Sequence, residues 1–590
     1  MEPISGIWAY VAMSLKATGI FTVVILVVAY TTLAERRVSA WIQDRRGPNR
    51  VGPFGLLQPI ADGIKNILKE ETLPATASRF FFVLAPILVL VPSMVTFAVI
   101  PIAAPLPTPA GVVDMVIADL PIGILYVLAF SSLAVYGVVL GGWASNNKYA
   151  FLGGMRASAQ MVSYEVALGL SLITVLMMAG NVTLTEIVWQ QQQLGMWFAF
   201  PLSLAFILFV ISAFAETNRL PFDMAEAESE LVTGYHTEYS AMKFSAFMIS
   251  EFGHMVTSSA LMATLFLGGW DLPGTWDDAH WYQGQLIAGF AADGSVILAN
   301  PAWWKTLLTF AGFAAKTGFF LVVYIWVRWT LPRFRYDQVM SLGWKVMLPT
   351  ALAYVMLIAG TILVLDEIGV PWGFGYGLSL TAVSGLATFA FMFALDRGRG
   401  AARAARRGQD DPHRDRPGGE LREPMSISVK VVHRPEPEST SYLRAALSGM
   451  ALTFRHMVNP VKVTQQYPEE QTELHPRWRG THVMEQHADG RPKCVACGLC
   501  PTVCPANCIR LVGGEDDQGN RYPIVYEIDE FRCIFCGMCQ EVCPVEAIHV
   551  GRHFENAEYT RARFVYDLDR LMEQDHPSTN LWDPSDPTGE

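Results

Sequence analysis

Residues 494–505 read CVACGLCPTVCP, and residues 533–544 read CIFCGMCQEVCP. Each is C-x2-C-x2-C-x3-C-P: Cys494, Cys497, Cys500, Cys504 and Pro505, then Cys533, Cys536, Cys539, Cys543 and Pro544. Gly498 and Gly537 follow the second cysteine of each run, where a residue without Cβ permits the tight turn that points backbone N–H groups at sulfur. Ile509 and Ile548 also match, so the stretch is an internal duplication with a period of 39 residues. Two such runs are the pattern of a two-cluster [4Fe-4S] ferredoxin, in which the fourth cysteine of each run ligates the other cluster. The expected ligand sets are Cys494, Cys497, Cys500 with Cys543, and Cys533, Cys536, Cys539 with Cys504. Zinc also takes C-x2-C pairs, but a tetrahedral site joins two separated pairs and leaves a third cysteine without a task. Cys508 matches Ala547 and is expected to pack, not ligate. All nine cysteines fall between Cys494 and Cys543, which speaks for metal ligation in a reducing compartment and against scattered disulfides. A small α+β ferredoxin-like module at about 485–555 follows, and it offers no nucleophile or general base. Its chemistry is electron transfer.

Outside this module the chain is a membrane sequence. Only 16% of its 590 residues are charged, against roughly 25% in soluble proteins, and 52% are hydrophobic. Apolar stretches able to cross about 30 Å of hydrocarbon lie near 17–34, 80–101, 119–141, 158–179, 198–215, 244–268, 305–330, 345–366 and 372–395. The expected fold is therefore mostly α: a polytopic domain of about nine transmembrane helices followed by the small α+β module. Basic residues are retained on the cytoplasmic side. They occupy alternate loops: Arg36, Arg37, Arg45, Arg46, Arg50, Lys65, Lys69 and Arg79; Lys148 and Arg156; Arg219 and Lys243; Arg328, Arg333, Arg335 and Lys345; and Arg397 onward. This alternation predicts an N-terminus outside and the cysteines in the cytoplasm. The first span lacks a cleavage pattern and is expected to be retained. A net charge of −11 offers no basic face for nucleic acid.

Composition sets the domain limits. Residues 1–395 form the membrane domain, 396–425 are a charged Gly- and Pro-rich linker, and 426–590 form the second half. Between Ser441 and Val458, Leu443, Leu447, Met450, Ala451 and Phe454 share a helical face, which suits either the membrane surface or a docking partner. Carboxylates at membrane depth are costly and point to a proton or ion path. Glu165, Glu216 and Glu251 are such residues. The loop after the fifth span adds Asp223, Glu226, Glu228, Glu230 and Glu238, whose mutual repulsion is expected to raise some of their pKa values. A solvated acidic loop is the plain alternative. Between the first two spans, Gly-Pro turns and an amphipathic stretch suit either a portal for a lipid-like substrate or a basic interfacial loop.

Three segments carry a family resemblance: ERRVSAWIQDRRGPNRVGPFGLLQPIADGIK, NNKYAFLGGMRASAQMVSYE and AETNRLPFDMAEAESELVTGYHTEYS. They resemble the H subunit of respiratory complex I, the proton-translocating NADH:quinone oxidoreductase, from the first span to about Leu365. The second half, with VTQQYPE, RWRGTH and both cysteine runs, resembles the I subunit of that enzyme from about Ser426 to Leu571. The resemblance implies an H–I fusion in the bacterial inner membrane, where one part passes electrons through two [4Fe-4S] clusters and the other forms the quinone chamber and the start of the proton path. It implies roles for Glu216, Arg219, Asp223, Glu226, Glu228 and Glu230 beside the quinone cavity, for Glu165 and Glu251 in the membrane relay, and for Arg36, Arg37, Arg46 and Asp62 at the quinone portal. It also implies peripheral-arm redox subunits and antiporter-like membrane subunits as partners, with flavin and quinone headgroup ligands on other chains. A membrane-bound hydrogenase or formate-hydrogen-lyase-type complex shares related parts, and a membrane-anchored ferredoxin carrier would need only the cysteines.

Overall fold

A computed structural model describes residues 7–409 and 442–573, apart from residues 110, 273–279, 283–284, 291–295, 299–300, 468, 471–472 and 476. Of the expected linker 396–425, residues 396–409 are helical, and the rest, with the start of the second half at Ser426, lies outside the described residues. Contacts divide the chain into two compact units, Met1–Thr464 and Gln465–Glu590.

The first unit is helical. Its helices are α1 (Ile7–Ile42), α2 (Gln58–Leu68), α3 (Arg79–Val95), α4 (Gly123–Ala144), α5 (Lys148–Ala179), α6 (Leu184–Leu194), α7 (Ser203–Glu216), α8 (Glu228–Leu231), α9 (Ala241–Phe266), α10 (Trp303–Arg328), α11 (Tyr336–Ser341), α12 (Leu348–Ile368), α13 (Phe374–Gln409) and α14 (Tyr442–Val458). Five short strands interrupt them: the hairpin β1 (Ala103–Thr108) and β2 (Gly111–Met115), and the antiparallel set β3 (His280–Tyr282), β4 (Gln285–Phe290) and β5 (Val296–Leu298). Seven helical stretches among the described residues are long and apolar enough to cross a membrane: Met13–Ile42, Arg79–Val99, Gly123–Ala144, Lys148–Ala179, Trp303–Arg328, Tyr336–Ile368 and Phe374–Leu395. The other two expected spans are the 14-residue α7 and the 26-residue α9. The apolar character of α9 is diluted by Ser250, Glu251, His254, Thr257, Ser258 and Ser259.

Local sequence sets the helix ends. Asn147 caps α5 by accepting from the Tyr149 N–H at 2.8 Å, and α5 and α12 stop at Gly180 and Gly369 in the left-handed conformation. Small residues let the central helices pack closely: Ala85, Ala134, Ala157, Ala205 and Ala213 are fully buried. By contrast α1 and α13 expose Phe21, Leu26, Leu378, Leu386 and Phe389, as lipid- or subunit-facing helices must.

Helix α14 belongs to the membrane unit. The Trp326 Nε1–H donates to Met450 O at 3.2 Å and to Thr453 Oγ1 at 3.0 Å, and the Thr330 and Thr453 hydroxyls are 2.7 Å apart. Phe454 packs against Trp326, while Leu443 and Leu447 of the expected face remain exposed. Beyond the helix, Asp44 at the end of α1 meets His456 Nδ1 at 2.8 Å and accepts the N–H groups of Val461 and Val463 at 3.0 Å each.

The second unit holds β6 (His482–Met484), α15 (Leu499–Val503), β7 (Ile509–Glu515), β8 (Arg521–Asp529), α16 (Met538–Glu541), β9 (Ile548–Val550), β10 (Val565–Tyr566) and α17 (Leu568–Glu573). Antiparallel sheets β6-β9 and β10-β8-β7 enclose a core of Met484, Tyr526, Ile528, Ala547, Ile548, Tyr566 and Leu571 with the cysteines. The sequence duplication is written into the backbone. Ala496 and Phe535, Gly498 and Gly537, and Asn507 and Glu546 all take positive φ at positions one period apart.

Candidate functional site

The loop after α7 is held from below by α5. Gln160, 1% exposed, directs its Nε2 at Ala215 O and Phe222 O, both 2.7 Å, and at Asn218 Oδ1, 3.1 Å. Phe222 packs between Tyr164 and Phe334, with ring centroids 5.3 Å away on each side. Farther along, Gly234 has φ +64, and a Cβ there would lie 1.7 Å from Ala225 O, so only glycine closes the turn.

This scaffold assembles a buried ionic network. Arg219 Nη1 donates to both oxygens of Glu35 at 3.2 Å, and its Nε lies 2.8 Å from Glu251 Oε1. Arg328 also donates to Glu35, and Arg333 Nη2 donates to Asp223 Oδ2 at 2.7 Å. The Arg219 guanidinium lies 4.4 Å from the Phe252 ring centroid, a cation–π placement. Glu35, Arg219 and Asp223 are 8%, 6% and 7% exposed, so each charge needs the opposite charge it has found.

The remaining loop acids do not crowd one another. Glu230 pairs with Arg156 at 2.7 Å, Glu238 accepts from Asn147 at 2.6 Å, and Glu226 lies 4.0 Å from His236. The Glu228 side chain lies outside the described residues. Burial pushes the Asp223 carboxyl above its ordinary range, opposed by Arg333. Burial likewise lowers His236 to about 4.

Of the three acids at membrane depth, Glu251 joins the Arg219 network and the other two face serines of α4. Ser132 hydrogen-bonds Glu165, and the adjacent Ser131 reaches Glu216. Glu216 and Ser131 line a cavity of about 40 Å³ with Thr96, His254, Thr257 and Ser258. By that measure it has room for water. The Nε2 atom of His254 has no hydrogen-bond partner among the described residues.

The portal residues form a less unified group. Arg36 and Asp62 make a 2.7 Å ion pair, and Asp62 also accepts from Gln58 at 3.1 Å. Arg37 is half-buried against Gly47, and the Arg46 backbone N–H donates to Thr464 at 3.2 Å. On α2, Ile60, Ile64 and Ile67 form an exposed apolar stripe at helical spacing.

In the second unit, Cys494, Cys497, Cys500 and Cys543 line one cavity, so a residue from the second run joins three from the first. Backbone N–H groups already face sulfur: Ala496 toward Cys494 at 3.4 Å, Phe535 toward Cys533 at 3.2 Å and Ala547 toward Cys543 at 3.2 Å. Four thiols converging with N–H donors are the donor chemistry that a [4Fe-4S] cluster requires. Cys508 is buried with its Sγ 3.4 Å from that of Cys504.

A family profile described as NADH dehydrogenase matches residues 15–359, more than half of the chain. The chain belongs to the NADH dehydrogenase family. A second profile, described as a 4Fe-4S dicluster domain, matches residues 493–547 of this family member. Among its relatives is an H subunit of the NADH-quinone oxidoreductase of Geobacter metallireducens, 49% identical over 350 residues, which are 59% of this chain and 96% of the relative. The corresponding H subunit of Leptospira biflexa is 45% identical over 358 residues, 59% of this chain and 94% of that protein. That of Rickettsia peacockii is 45% identical over 362 residues, 61% and 97% respectively. This NADH dehydrogenase family member is thus a multi-pass homologue of an enzyme-complex subunit that carries a 4Fe-4S dicluster domain.

Glu35, the acid at the centre of the network, escapes a reading of the sequence. Its one signal there is an acid directly beside Arg36 and Arg37 at the end of an apolar span. In the sequence Arg328 and Arg333 serve only as topology markers, and nothing singles out His236 or His254.

Proposed function

We propose that this chain joins an H-type and an I-type subunit of a proton-translocating NADH:quinone oxidoreductase, with the I-type half beginning near Ser426. The observation that carries this reading is the buried network of Glu35, Arg219, Glu251 and Arg328 in a chain that also has a 4Fe-4S dicluster domain. An anchored electron carrier needs no such assembly of charges at the membrane. The relatives' names supply the reaction class and quinone, and the family resemblance adds the redox and antiporter-like subunits of the same complex as partners.

Cys494, Cys497, Cys500 and Cys543 would hold one cluster, and Cys533, Cys536, Cys539 and Cys504 the other. When bound, these two [4Fe-4S] clusters supply one-electron carriers. The N–H groups of Ala496, Phe535 and Ala547 donate to ligand sulfurs and favour the more negative state. In the membrane unit, Arg36 and Asp62 with the apolar stripe of α2 form a mouth that suits an amphiphilic quinone. The Arg219 network answers the charge change of quinone reduction, because Glu35, Glu251 and Asp223 can exchange protons against fixed guanidinium charges. Glu216 and Glu165, linked through Ser131 and Ser132, hold the next protons. This reading places the basic loops and the second unit on the cytoplasmic side of a bacterial inner membrane.

Purification of the intact complex through a tag on this chain, followed by assays of quinone reduction and hydrogen evolution, tests the reading. Quinone reduction with proton uptake by vesicles is the expected result. Hydrogen evolution without quinone reduction would overturn it.

A further inference from the structure

One buried ion pair in the second unit is not explained by folding alone. His482 of β6 and Glu530 after β8 are 2% and 3% exposed, and His482 Nδ1 lies 2.7 Å from Glu530 Oε1. The same carboxylate oxygen accepts the His482 backbone N–H at 3.3 Å, which fixes both the strand and the ring. The ring also lies within hydrogen-bonding reach of the Cys533 and Cys539 thiols, and Phe535 stacks beside it with centroids 6.1 Å apart.

We propose that His482 donates a hydrogen bond to a sulfur ligand of the Cys533 cluster and raises that cluster's reduction potential, with Glu530 as the residue that positions the ring. This rests on the two-cluster reading. A carboxylate at Nδ1 and the sulfurs are all acceptors, so the ring that serves both is the doubly protonated imidazolium, whose charge Glu530 balances. Reduction adds an electron to the cluster, and an N–H donor at sulfur stabilises the more negative form. Burial strengthens the effect because water cannot replace the donor. The matching position in the first half differs. Tyr526 Oη lies 3.3 Å from Cys500 Sγ, so the Cys494 cluster has a neutral hydroxyl where the Cys533 cluster has an imidazolium backed by a carboxylate. The two halves of the duplication therefore carry unequal donors.

His482, Glu530 and Cys533 also have ligand atoms within 4.8 Å of one another, as a mononuclear metal site would. Cys533 belongs to the repeated run, however, and the equivalent Cys494 has no such His–Glu pair among the described residues.

The test uses the intact complex with 15N-labelled histidine. Pulsed EPR on the reduced Cys533 cluster should show a weak coupling to one histidine nitrogen, and Glu530→Ala should weaken it. In EPR-monitored redox titrations, His482→Leu should lower the reduction equilibrium constant of that cluster roughly tenfold, 59 mV for a one-electron couple. The Cys494 cluster should not move, and His482→Gln, which keeps an N–H donor, should restore most of the shift. Unchanged potentials in His482→Leu overturn the proposal. Should that variant not assemble, absence of the nitrogen coupling in the wild type overturns it instead. A coupling strong enough for direct ligation, or zinc bound with loss of one cluster, does the same. Absence of one cluster from the wild-type complex, by iron and sulfide analysis, would refute the two-cluster reading itself.

Discussion

Arg219 and Glu35, 184 residues apart in sequence, meet through two hydrogen bonds of 3.2 Å in the interior of the membrane unit. Glu35 is also the acceptor for Arg328, so two guanidinium groups depend on one carboxylate. Glu35→Ala would leave both without it, and breaking a buried pair from one side costs about 3–5 kcal/mol. The expected result is loss of assembled complex from the membrane, read on native gels. Glu35→Gln, which keeps the side-chain shape and one acceptor oxygen, should assemble better but slow quinone reduction. Normal assembly of the alanine variant would show that the network is dispensable.

Glu216 lines the cavity shared with His254 and Ser131. Glu216→Gln keeps the shape but cannot exchange a proton. It should impair proton pumping and, where coupling is tight, quinone reduction, while the clusters remain reducible by the upstream donor. Wild-type pumping in vesicles, with normal assembly, would make Glu216 a structural residue.

Cys543→Ala should damage the cluster built on Cys494, Cys497 and Cys500, because these four thiols line one cavity. EPR of the reduced variant should lose that signal and keep the other. Loss confined to the Cys533 cluster would refute the crossed assignment.

His236 carries a pH prediction. Its folded pKa of about 4 lies below the roughly 6.5 of an exposed histidine, so between these values the unfolded state binds a proton that the folded state refuses. Stability should therefore fall as the pH drops from about 6.5 to 4, by up to roughly 3 kcal/mol from this residue. Melting curves in detergent at pH 7.5 and 5 should converge in His236→Gln. An undiminished pH dependence would exclude His236 as its source.

How much the sequence discloses follows the range of the interactions. The cysteine runs are readable because ligation by a cluster imposes a local spacing, and the duplication repeats it. The long spans are readable because hydrocarbon imposes composition over about 20 residues. The network around Glu35 is not, since its partners come from separate helices and a lone acid among arginines looks like an interfacial charge. The partners of the loop acids are hidden for the same reason: Arg333, Arg156 and Asn147 arrive from elsewhere to meet Asp223, Glu230 and Glu238. The amphipathic pattern of 441–458 reveals a helix with one apolar face but does not choose between membrane surface and docking partner, and the contacts use Met450, Thr453 and Phe454 more than Leu443 and Leu447.

The seat of α14 against Trp326, Thr330 and Asp44 bears on how the chain is made. Residues 442–464 lie beyond the linker yet fold with the membrane unit, so α14 is synthesised before the ferredoxin-like unit that follows it. One chain then delivers the membrane unit and the cysteine-rich unit in equal numbers. Neither unit is made in surplus over the other.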